Sequence, residues 1–239
     1  MSPQIPGMPT PPKPDAGAGG HGSQPIYSRA DDLAFFYAAS KAQALADAAG
    51  LTHAAAGMRH YLDNSGSDFT IEPDAAMTDV ANLKSHADLV ISERIGDLAR
   101  DPSNHNKTVA FTTPWHGTSV GQSENQDWFL AMGSVEVCAT GVVTISPAAG
   151  GGQSHIAMDY QVHFFDRYNW DGKKFVVILG VKITDQRMGG LHTAGLAKEF
   201  NQFGTSSTKH FEGMLPAYGS IDLPSPDGGR GGSRTDPTR

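Results

Sequence analysis

The feature that most constrains this chain is a change of hydrophobic period near Asn104. Upstream, apolar residues recur at three- and four-residue spacing; downstream they alternate, with polar turns between the runs. A period near 3.6 buries one stripe of a helix and a period of 2 buries one face of a strand, so the chain is helical first and β-rich after. With a closing helical pattern at the end, this specifies an α+β fold. N-terminal helices pack on a mainly antiparallel sheet of roughly four to six strands, with a C-terminal helix.

Ser28 or Asp31 can cap a first helix that carries Leu33, Phe36, Tyr37, Ala44 and Leu45 and ends near Gly50. A second runs from Thr52 to about Leu62, with Met58, Tyr61 and Leu62 on its apolar side, and the two suggest a helical hairpin. Pro73 opens a short helical turn through Val80. Leu83, Ala87, Val90, Ile91, Ile95 and Leu98 then mark an amphipathic helix from about Asn82 to Arg100 that should lay one face on the sheet. Extended runs are expected at 107–115, 128–132, 135–145, 155–166 and 175–183.

Both ends lack large apolar side chains. Residues 1–26 and 223–239 are expected to be a disordered leader and tail, leaving 27–222 as a single domain. The leader's GAGGHG lacks the strand, glycine loop and helix context of a phosphate cradle and is taken as a flexible link. The 18 Lys and Arg against 25 Asp and Glu leave a net charge of −7, which argues against nucleic acid or an anionic membrane as a bulk electrostatic partner. A single cysteine, Cys138, excludes an internal disulfide and fits a small buried hydrophobe. The longest apolar run, 175–181, is far short of the roughly 20 residues of a membrane helix, so no transmembrane segment is expected. The N-terminus has no charged region followed by an apolar run. Secretion would therefore need a route without a classical signal peptide, and a cytoplasmic protein is the alternative. The ten histidines show no paired metal-ligand spacing, and the sequence singles out no metal or cofactor.

The chemistry is concentrated between His163 and Gly204. On the strand over 155–166, Ile156, Met158, Tyr160, Val162 and Phe164 share one face, while Asp159, Gln161 and His163 share the other, which should meet water, a loop or a ligand. Asp166, Arg167, Tyr168, Asn169, Trp170 and Asp171 crowd carboxylates, a guanidinium and rings into the following turn. Turn formation accounts for Asn169, Asp171 and Gly172, but less well for Asp166, Arg167 and Tyr168. Thr184 or Asp185 can cap a last helix, expected from about Gln186 to Phe203. Gly189, Gly190 and Gly195 each cost about 1 kcal/mol inside a helix, so another backbone should approach closely there. On that helix His192 and Glu199 would lie along one line, about 10 Å apart, too far for a hydrogen bond and suited to separate parts of a ligand. A lone histidine on a helix is more often a satisfied structural group.

At DRYNWDGKK followed by ITDxxMGxxHxxGLAKEF, the chain resembles an uncharacterised domain found at the C-terminal ends of bacterial secreted polymorphic toxins and related effector-like proteins. The likeness runs from Asp127 and Trp128, through Phe165 to Asp171, and from Thr184 to Gly204. It implies a bacterial secreted effector or toxin-like domain, with a hydrolytic activity as one expectation and an immunity or carrier protein as partner. In that reading Asp171 or Asp166 accepts a proton, His192 is acid or base, and Tyr168 and Trp170 wall the substrate, with Arg167, Glu199 and His163 around them. The alternative is a non-enzymatic protein-binding or assembly module, in which the same rings and Arg167 anchor a partner.

Overall fold

Small residues decide how the first helices meet. The structure is a computed structural model that describes residues 3–25, 29–148, 150, 152–170, 172, 175–178 and 181–226. In it α1 (Arg29–Ala48) packs on α2 (Thr52–Leu62) across Gly50, whose φ of 85° turns the chain. The buried stripe of α1 is Ala39, Ala42 and Ala46, whereas Leu33 and Tyr37, expected inside, are exposed. The reason lies across the interface: α2 buries Ala54, Ala55 and Gly57, and small residues on both sides let two helix backbones approach where larger side chains would hold them apart.

A two-residue strand, β1 (Phe69–Thr70), leads to α3 (Pro73–Asp79) and α4 (Ala81–Arg100). Pro73 occupies the first turn, where its missing N–H costs nothing. α4 buries Leu83, Ala87, Val90, Ile91 and Ile95, the stripe its periodicity sets. Asp101 accepts the Ser103 amide at 2.9 Å and, with Pro102, closes the helix.

The β half contains β2 (Thr108–Thr112), β3 (His116–Ser119), β4 (Ser134–Ser146), β5 (His155–Tyr168), the hairpin β6 (Phe175–Ile178) and β7 (Val181–Thr184), then β8 (Phe200–Thr205) and β9 (Lys209–Met214). Long β4 and β5 are the antiparallel spine. On the outer edge of β4, β2 pairs with its second half and β3 with its first. On the outer edge of β5, β9 and β8 divide the strand in the same way, and β1 adds in parallel beyond β8. This makes a seven-stranded sheet, with β6 and β7 as a separate two-stranded one among the described residues. The count exceeds the expectation because both spine strands are long enough to take two short partners each.

Two segments adopt the opposite structure to the one expected. Residues 128–132 are not a strand: α5 (Gln126–Ala131) forms there because Asn125 caps it, its Oδ1 accepting the Trp128 amide at 3.1 Å. The last helix is also shorter than expected. α6 (Asp185–Thr193), capped by Thr184, stops before Gly195 at φ 74°, and Phe200–Phe203 belong to β8. The free edge of β5 offers Phe200–Thr205 a complete ladder, which outweighs the helical spacing of their apolar residues.

The main core lies between α3, α4, α5 and the face of the sheet that carries Ile156, Met158, Tyr160, Val162 and Phe164. Ile221 and Leu223 close over it, and the Ile221 amide donates to Ser92 Oγ at 2.8 Å. The buried region thus reaches Leu223, where the disordered tail was expected to begin. A second, smaller cluster joins α1, α2, α6, Tyr168 and Phe200. Cys138 is buried in β4, and burial pushes its thiol up to about 12.

Candidate functional site

The site is built on the turn that ends α6. After Thr193 the chain reverses at Gly195, and the Leu196 and Ala197 amides both donate to the Leu191 carbonyl, at 2.9 and 3.2 Å. The Lys198 amide then donates to Tyr61 O at 3.0 Å, and the Tyr61 hydroxyl donates to Met188 O at 2.6 Å, which locks α2 to both sides of the turn. This brings Glu199 back beside His192. The Glu199 amide donates to His192 Nδ1 at 3.1 Å, a direct bond that the assumption of a continuous helix had excluded.

Glu199 has a side-chain exposure of 0 %, yet its carboxylate is well supplied with donors. Oε1 accepts the Ala18 amide at 2.9 Å and the Trp170 amide at 3.2 Å, while Oε2 faces Arg167 at 3.4 Å. Arg167 also donates to Asn201 Oδ1 at 3.3 Å. Because Nδ1 of His192 accepts from an amide, its proton must lie on Nε2, which donates to Gly19 O at 3.1 Å. Burial lowers the His192 pKa, against the raising effect of Glu199, so the neutral ring is favoured.

The leader supplies the other half of the site. Residues expected to be a free leader instead lie as a strap across α6 and the β5–β8 edge. The Gly22 amide donates to His192 O at 3.1 Å, which also accepts the Gly195 amide, and the Gln24 amide donates to Thr193 O at 2.8 Å, a carbonyl that the helix end leaves open. His21 Nε2 meets Asn64 Oδ1 at 2.8 Å, and Asn64 Nδ2 donates to Gly195 O at 3.0 Å. Asp15 bonds Asn169, and further back Thr10 O accepts Trp115 Nε1 at 3.0 Å. What orders this segment is backbone hydrogen bonding into buried partners, with little contribution from large apolar side chains.

The glycines of α6 serve the close approach that their cost implied. A Cβ on Gly189 would lie 2.5 Å from Trp170 O and 2.9 Å from Ala18 Cβ. Gly17, at φ 60°, is tighter still, since a Cβ there would lie 1.9 Å from Glu199 Oε2.

His192, Glu199, Arg167 and Trp170 of the expected site therefore come together, and the others do not join them. Asp166 neighbours Arg167 and so points to the opposite face of β5, where it accepts Gln202 Nε2 at 2.9 Å. Burial pushes its carboxyl up to about 7. Tyr168 stacks on Phe200 with centroids 4.8 Å apart, as part of the second core cluster. His163, expected on a wet face, is 1 % exposed and lies between Thr140 Oγ1 and Thr205 Oγ1, each 2.9 Å away. Burial pulls it down to about 4. Asp171 lies outside the described residues.

Sequence reasoning missed the strap and Asn64. The available signal was a match of small residues, GAGGHG in the leader against the glycines of α6. It also missed a second histidine pairing. Asp127 of α5 accepts the His53 and Ala54 amides at 3.1 and 2.8 Å, and its Oδ2 meets His53 Nδ1 at 2.8 Å. Burial opposes ionisation of Asp127, but these bonds hold its pKa below the usual range. With His53 stacked 3.8 Å over Trp128, the pair caps α2 from outside, since Leu51 supplies no side-chain cap.

Among the described residues, no group of three or more His, Cys, Asp or Glu could hold a metal ion, and no helix is long and apolar enough to cross a membrane. No protein-family model, curated protein or solved structure matches the chain.

Proposed function

We propose that this protein is a non-enzymatic protein-binding or assembly module, whose working surface lies where the strap, α6 and the start of β8 meet. One observation carries the reading: both ring nitrogens of His192 and Oε1 of Glu199 are spent on main-chain partners. The His192 ring bonds Gly19 O and the Glu199 amide, and Glu199 Oε1 takes the Ala18 and Trp170 amides. Such groups hold a chain in place; neither ring nitrogen is left over for proton transfer. Of the two carboxyl groups offered to His192 in the hydrolytic reading, Asp166 points to the other face of β5, and Asp171 lies outside the described residues.

The second reading is the bacterial secreted effector or toxin-like domain, with an immunity or carrier protein as partner and delivery by a route without a classical signal peptide. Its support is the convergence of Arg167, Glu199 and His192 beneath a strap. Expression of the full chain in a bacterial host, in the cytoplasm or exported to the periplasm, separates the two. The module reading expects unchanged growth for the wild type and for Arg167→Ala and His192→Ala. Growth loss in one compartment, abolished in variants shown to be folded, replaces it with the effector reading.

A further inference from the structure

The strap is held in the way a peptide ligand is held. Between Asp15 and Gln24 the amides of Ala18, Gly22 and Gln24 and the carbonyl of Gly19 all bond groups of the α6–β8 region. Main-chain recognition of this kind is indifferent to most side chains, so selectivity must come from the positions where the groove touches or excludes one. Asp15 bonds Asn169 and Gln24 Oε1 accepts from Thr193 Oγ1, and two further positions between them are the more restrictive. At Gly17 a Cβ would overlap Glu199 Oε2, and the positive φ independently requires glycine. At His21 the ring bonds Asn64 and packs edge-on to His192 with centroids 5.2 Å apart.

The anchor of the groove also has partners outside the strap. Glu199 is fully buried, and Arg167 and the Trp170 amide already compensate its charge, so its remaining Oε1 capacity is directed at one incoming amide. Beside the strap a cleft of about 710 Å³ continues the groove, lined by Ala18, Trp170, Lys182, Gln186 and Thr193. Trp170 Nε1 is buried with no hydrogen-bond partner among the described residues.

We propose that this groove is a recognition site for a turn-forming glycine-rich peptide of the pattern Gly-Ala-Gly-Gly-His-Gly, and that residues 15–24, with left-handed Gly17, Gly19 and Gly22, are its resident ligand in cis. This rests on the binding-module reading and names its ligand class and its regulation. The tethered strap is present at a high effective concentration, so it shuts out a second peptide until it is released.

The probe is a fluorescein-labelled synthetic peptide spanning residues 14–25, titrated against the full chain and followed by anisotropy. Gly17→Val should free the groove while leaving its walls intact, so this variant should bind the peptide at least tenfold more tightly than the wild type. Adding Glu199→Ala should abolish that binding, and a peptide carrying valine in place of Gly17 should bind neither protein. Equal binding to wild type and Gly17→Val, or none to a Gly17→Val chain with a native circular dichroism spectrum, overturns the proposal. If Gly17→Val does not fold, Ala18→Pro, which deletes the amide that Glu199 accepts, takes its place with the same outcomes. A negative peptide result beside unchanged growth in the expression assay would remove the ligand assignment and leave the module reading standing.

Discussion

The cluster between α4 and the sheet and the cluster between α1, α2 and α6 are packed with different kinds of residue. The first is filled by aliphatic and aromatic side chains such as Leu83, Ile91, Ile95, Ile156 and Phe164. The second combines five alanines with three rings and Met58, Ile183, Met188 and Leu191, and the buried polar groups of His192 and Glu199 lie at its border. Large side chains bury the most area per residue and suit stability. Small ones bring backbones together and place main-chain donors and acceptors within reach of buried side chains, which suits recognition. β5 runs through both regions, and two of its titratable groups shifted by burial, His163 and Asp166, lie where one gives way to the other.

The comparison is broken most directly in the sheet core. Phe164 is fully buried, and Phe164→Ala should cost about 3–5 kcal/mol in denaturant unfolding. A loss below about 1 kcal/mol would mean that this cluster is not the stabilising one.

The junction on β5 should show itself through pH. Asp166 rises from 3.8 in the unfolded chain to about 7 in the fold, so the folded state holds the extra proton and stability is lost as pH rises through that window. His163 falls from 6.5 to about 4, so the unfolded state holds the extra proton there and stability is lost as pH falls below 6.5. The two slopes oppose each other over much of the same range. Asp166→Asn should therefore gain on the order of 2 kcal/mol at pH 8 and expose the acid-side slope of His163, read as unfolding free energy at several pH values. An identical pH profile in wild type and variant would show that Asp166 titrates normally.

In the second region the effect should be local. His192→Ala removes the donor to Gly19 O and the acceptor of the Glu199 amide, at about 1–3 kcal/mol. Hydrogen exchange at the Ala18, Gly22 and Gln24 amides should accelerate well before the sheet core responds; unchanged exchange there would detach His192 from the strap. The smallest effect is expected outside both clusters. Tyr37 is 72 % exposed on α1, and Tyr37→Ser should shift the unfolding midpoint by less than about 0.5 kcal/mol equivalent.

What the sequence determined by itself is what nearest neighbours along the chain decide. The change of period near Asn104, Pro73 at a helix start, the α4 stripe and the Thr184 cap all act within a few residues, and each appears where its local chemistry puts it. The α+β class and the alternation of β5 follow from the same short-range rules. Three features depended on partners distant in sequence. Phe200–Thr205 form a strand because β5 presents an open edge to them. His163 is dry because Thr140 and Thr205 meet it from neighbouring strands. The glycine-rich leader is ordered because a carboxylate about 180 residues away accepts its amide inside a slot that no larger residue could enter. Composition weighs only what a segment can bury by itself, and this one is held by hydrogen bonds whose other halves exist only once α6 has turned back to β8.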